Sequence, residues 1–132
     1  MATPKEMLMT YLLEEGYNPL PDGEGIAFKK EGRTFSTFPD PGDPNFFNLY
    51  CYFDFEGRVP SRAAGLEAAN DVNRSIKAIK VTLSDPENPS RVGFGVEVPL
   101  PLLESFRAIF DRALHTIGYS AEQFIDRLDK TE

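Results

Sequence analysis

Nucleophilic catalysis needs a nucleophile and a base that can meet it, and the chain has one cysteine, Cys51, and one histidine, His115. Cys51 falls on the apolar side of the alternating stretch "FFNLYCYFDFEG", where a thiol behaves as a small hydrophobe. His115 lies between Leu114 and Thr116 in a run of helical spacing, the setting of a helix-surface or core-edge histidine. Only the fold could pair them, so no catalytic residue is expected. Glu14 and Glu15 are adjacent and do not share a helix face, which rules them out as an acid/base pair.

Metal binding requires grouped ligands at chelating spacing. "PDPGDPN" supplies Asp40, Asp43 and Asn45, and "DPENPS" supplies Asp85, Glu87 and Asn88. Neither closes with the bidentate glutamate of a calcium loop, and Asp and Asn in turns bond local backbone. No metal site is expected. "VGFGVEV" carries Gly93 and Gly95 but lacks the third glycine of a dinucleotide loop, and its glycines alternate with Phe94 inside a strand. Close approach of a helix to the sheet accounts for them better, and no cofactor is expected.

Asn70 and Asn73, in "AANDVNRSIKAIKVTL", allow two readings. Three-residue spacing puts both on one side of a helix, where their amides could face a ligand. Alternatively Asn73 ends the helix in the left-handed region while Asn70 bonds backbone at the helix–strand junction. The structural reading is preferred.

These residues need elements to position them. Thr3, Pro4 and Glu6 form a helix-start box, and Met7, Leu8, Tyr11 and Leu12 continue at helical spacing until Gly16. "GIAFKKEGRTFSTF" predicts a hairpin turning at "KEGR", and the three prolines of "PDPGDPN" predict a loop. In the third strand Phe47, Leu49, Cys51, Phe53 and Phe55 share one face, which is core. Phe46, Asn48, Tyr50, Tyr52 and Asp54 share the other, aromatic but polar-tipped. Ser61 caps a second helix through Leu66, Ala69 and Val72. Ile79, Val81 and Leu83 mark a fourth strand, and Val92, Phe94, Val96 and Val98 a fifth. Pro99 and Pro101 launch a long third helix from Leu102 and Leu103, expected to break at Gly118 and restart at Ser120 and Gln123. The order helix, three strands, helix, two strands, helix gives an α+β single domain, residues 1–132, with an antiparallel sheet packed by helices.

The chain's 132 residues suffice for one domain that buries roughly two-thirds of its unfolded surface. Acidic residues outnumber basic ones, 21 against 14, for a net charge of -7. Such a field repels phosphate backbones, so nucleic acid is not an expected partner. A lone cysteine permits no internal disulfide, the N-terminal apolar run is broken by Thr10, and no run reaches the roughly 20 apolar residues of a membrane span. A cytoplasmic protein away from membranes is expected.

The leading helix ending "LLEEGY", the hairpin, the aromatic strand, "AANDVNRSIKAIKV" and "VEVPLPLL" together resemble the YbjN-like bacterial proteins, which share the fold of type III secretion chaperones. The resemblance spans about Pro4 to Leu128. It implies a small cytoplasmic protein, homodimeric, that binds other proteins as a chaperone or as a regulator of sensory transduction. The residues supply a surface for such binding. Phe46, Tyr50 and Tyr52 form an aromatic patch on the third strand, unless a helix of the same domain covers them. The alternative is a small-ligand or enzymatic pocket between helix and sheet, drawing on Asn70, Asn73 or Cys51.

Overall fold

The computed structural model describes residues 3–100 and 105–130. Helix α1 (Pro4–Glu14) opens with the expected box: the Glu6 N–H donates to the Thr3 hydroxyl, and the Thr3 N–H donates to the Glu6 carboxylate. It closes on Gly16 at φ +89°, with the Gly16 N–H bonded to Leu13 O and the Tyr17 N–H to Leu12 O. This left-handed ending satisfies carbonyls that the helix itself leaves free.

Strands β1 (Leu20–Asp22), β2 (Gly25–Lys30), β3 (Arg33–Thr37) and β4 (Phe46–Asp54) follow. Then come α2 (Arg62–Ser75), β5 (Ile79–Thr82), β6 (Arg91–Pro99) and α3 (Phe106–Lys130). The α+β class holds, with one strand more than the sequence reading counted. The extra strand, β1, has three exposed residues around Pro21 and no apolar alternation to betray it. The β2–β3 hairpin turns at Glu31 and Gly32, both left-handed at φ +53° and +80°, the backbone that matches strand twist in a two-residue loop.

The six strands form one antiparallel sheet in the order β1-β2-β3-β4-β6-β5. Phe28, Phe35, Leu49, Cys51, Phe53, Phe94 and Val96 point inward and meet Leu12, Val72, Phe110, Ile117 and Phe124 from the helices. Phe110 lies 5.7 Å from Phe28 and Phe124 lies 6.0 Å from Phe94, ring centre to ring centre. All three helices contribute to this one core, which leaves the other face of the sheet open.

Two expectations are corrected. Helix α3 does not break at Gly118, and Ser120 does not restart it. The helix runs unbroken through both, with Ser120 fully buried. Its stripe of Phe110, Ala113, Leu114, Ile117, Ala121, Phe124 and Leu128 continues past the glycine, and that packing outweighs the roughly 1 kcal/mol a mid-helix glycine costs. In α2 the buried side is Gly65, Ala68, Ala69 and Val72, so Leu66 projects into solvent. The expected helical start at Pro101, Leu102 and Leu103 lies outside the described residues.

Candidate functional site

Strand register arranges the open face into rows. One row runs Leu20, Ala27, Ser36, Tyr50, Gly95, Lys80, and beside it lie Tyr52, Gly93 and Thr82. The glycines are seats for aromatic rings. A Cβ on Gly95 would lie 2.6 Å from Tyr50 Cδ1, one on Gly93 2.9 Å from Tyr52 Cε1, and one on Gly25 2.5 Å from Phe38 Cδ1. Gly93 and Gly95 therefore accommodate tyrosines of β4 and not an approaching helix, which corrects the sequence reading. Rings laid across strand glycines restore the packing those residues lack and flatten the surface.

Tyr50 is anchored and Tyr52 is presented. Burial, with the Glu97 carboxylate facing its hydroxyl, pushes the Tyr50 phenol up to about 12. Glu97 in turn pairs with Lys80 at 3.1 Å. Tyr52 is 52% exposed, and the Arg91 guanidinium stands 4.8 Å from its ring centre. Phe38, 43% exposed, lies 6.0 Å from Tyr50 and extends the patch. It was missed because it sits just past β3, where alternation no longer assigns a side. Buried Asn48 holds it there, accepting from Phe38 N–H at 2.7 Å and donating to Phe38 O at 2.9 Å.

Phe46 stands apart from the two tyrosines. It borders a cleft of about 240 Å³ at the end of the sheet, with Met7, Tyr11, Phe47 and Phe106 among the other walls. The Tyr11 hydroxyl beside it is buried without a hydrogen-bond partner. Neither Asn70, Asn73 nor Cys51 lines this cleft.

Asn73 does not end its helix in the left-handed region; α2 continues to Ser75, and Ala78 takes the positive φ of +64°. Its amide instead grips the edge strand, accepting from Val81 N–H at 2.7 Å and donating to Val81 O at 3.0 Å. Arg62 adds a bond to Leu83 O at 3.1 Å. Asn70 is exposed in mid-helix and bonds no backbone at the junction, so the two asparagines do not act together.

Cys51 is buried, donates weakly to Tyr52 O, and its thiol is pushed up to about 11 by burial, against the lowering effect of Arg33. Its Sγ faces the core, while His115 is exposed on α3 and stacks with Tyr119. The loop Asp and Asn side chains act as turn formers: Asp40 accepts from Gly42 N–H, Asp85 from Glu87 N–H, and Asn88 from Ser90 N–H.

No family model and no curated protein matches the chain by sequence. Solved structures do match by shape. YbjN from E. coli, proposed to be a transcription regulator, aligns at TM-score 0.60 and 13% identity over 92% of this chain and 86% of its own. The fold is YbjN-like. An uncharacterized protein from Methanothermobacter thermautotrophicus aligns at TM-score 0.65 and 15% identity, over 97% of this chain and 98% of that one. Both identities are low enough that the likeness to YbjN speaks for the fold alone. No described helix is long and apolar enough to cross a membrane.

Proposed function

We propose that this protein is a non-enzymatic protein-binding module that docks a partner on the open face of its sheet, centred on Tyr50 and Tyr52. The observation that supports this is one-sided packing: every helix lies on the inner face, while Phe38 and Tyr52 remain 43% and 52% exposed on the outer one. Aromatics with a polar tip suit interfaces because they give contact area at little entropic cost. A second copy of the chain, as the YbjN-like resemblance implies, or a client protein would bury them. The module would act in the cytoplasm, in a chaperone or regulatory role, without nucleic acid or membrane.

Tyr52→Glu tests this, since it leaves the core untouched. Light scattering and affinity capture from the native cells are expected to show loss of a dimer or of a near-stoichiometric partner, with the melting temperature kept. Unchanged mass and unchanged capture would refute the face.

The buried, unpartnered Tyr11 hydroxyl beside the cleft at the sheet's end favours a second reading, a small-ligand site there. A ligand that raises the melting temperature and loses that effect in Tyr11→Phe would establish it.

A further inference from the structure

On the helix-bearing side of the sheet, one cleft holds charges of both signs that do not meet. It measures about 430 Å³, within the range of small-molecule sites, and lies between the tip of the β2–β3 hairpin and α3. Phe35, Phe53, Phe55, Leu114 and Ile125 make its apolar floor. Lys30 and Arg33 stand on the strand wall, Glu122 and Asp126 on the helix wall, and Glu31 of the turn adds a third acid at the rim. Arg33 alternates with buried Phe35 and turns to this inner side, its guanidinium 4.4 Å from the Phe53 ring centre. Among the described residues none of these five charges has an ion pair, so the two walls stand beyond ion-pair reach of each other.

Each wall also sets like charges side by side. Lys30 and Arg33 are register partners across the hairpin, and Glu122 and Asp126 are one helical turn apart. Such neighbours repel unless a counter-charge reaches them. Gly118 shapes the remaining side. Leu114, Gly118, Glu122 and Asp126 recur every four residues along α3, one row against the cleft. A glycine in that row weakens the helix by roughly 1 kcal/mol against alanine. Packing does not require it, since a Cβ there would meet no atom within 4 Å. The missing side chain leaves its space to the cleft.

We propose that this cleft binds a free α-amino acid with a large apolar side chain. The carboxylate docks on Lys30 and Arg33, the ammonium on Glu122 and Asp126, and the side chain on the phenylalanine floor beside Gly118. Charge-assisted hydrogen bonds to both walls then neutralise each like-charged pair. An ion of one sign is disfavoured: a lone anion meets Glu122 and Asp126, and a lone cation meets Lys30 and Arg33. An Arg33 guanidinium resting on Phe53 is already held in place, so it gives up little freedom when a carboxylate arrives. The site lies away from Tyr50 and Tyr52 and stands independently of the docking face.

The test is isothermal titration calorimetry on the full chain with L-phenylalanine as the probe. Phenylalanine amide, which lacks the carboxylate, and N-acetylphenylalanine, which lacks the ammonium, serve as comparators. L-phenylalanine is expected to bind, and each comparator to bind about tenfold more weakly or worse. Arg33→Gln should erase the preference over the amide, and Glu122→Gln the preference over the N-acetyl compound. Gly118→Leu should abolish binding while melting at or above the parent's temperature, because leucine favours the helix and fills the cleft. That combination separates a blocked site from a lost fold, and Arg58→Gln, outside the cleft, should change nothing. No binding of L-phenylalanine, equal binding of either comparator, or undiminished binding by Gly118→Leu each overturns the proposal.

Discussion

Glycine weakens a strand interior, since it packs nothing and loses the most backbone freedom on folding. Gly93 and Gly95 are kept because Tyr52 and Tyr50 lie where their side chains would be. Gly95→Val is therefore expected to displace the Tyr50 ring and cost about 1–3 kcal/mol in urea unfolding, with lost intensity in tyrosine near-UV circular dichroism. A neutral result would mean the ring is not seated there. Cys51 gives a pH prediction with a definite sign. Its folded thiol titrates at about 11 against 9.0 ordinarily, so between those values the unfolded chain loses its proton first. Stability should be nearly full below about pH 9 and fall as pH rises through 11, by at most about 3 kcal/mol, and Cys51→Ala should show a shallower fall. Alkylation of the native thiol at neutral pH should be slow. That Cys51 faces inward was legible from alternation alone. The ring-on-glycine pairing was not, because it joins residues of two strands whose register no local pattern reveals.

At the scale of elements, the two sheet edges are protected differently. Strand β1 is short and contains Pro21, whereas β5 is gripped by the side chains of α2 at Val81 and Leu83. Free edge groups invite pairing with another chain, and a covering helix prevents it. Asn73→Ala should cost about 1–2 kcal/mol, speed amide exchange at Val81 and promote aggregation on heating. Exchange at Val81 unchanged from the parent would contradict this role. Gly118→Ala should stabilise the protein by up to about 1 kcal/mol, since a Cβ there meets no atom within 4 Å and α3 is helical throughout. Destabilisation would indicate a non-helical backbone at that position. The capping box at Thr3, the hairpin turn and the aromatic strand were readable because each is decided by neighbours in sequence. The continuity of α3 was not, because a glycine's local preference is overruled only by the sheet beneath it. Asn73 likewise had to meet Val81 in space before its amide gained a partner.

At the scale of the whole molecule, a six-stranded sheet with helices on one side has a face that the described residues leave uncovered. The two-sided character of β4 in the sequence pointed to that face through Tyr50 and Tyr52. Phe46 carried the same alternation, but the end of the sheet turns it toward another cleft. If partners dock on this face, they meet Tyr52 and not the helical side. A photo-crosslinking residue placed at Tyr52, 52% exposed, or at Tyr119 on α3, 47% exposed, compares the two sides at matched accessibility. Irradiation in the native cells should give a discrete crosslinked protein, or a crosslinked second copy, from position 52 and none from 119. Crosslinks from 119 with none from 52 would contradict the account and move the docking surface to the helices.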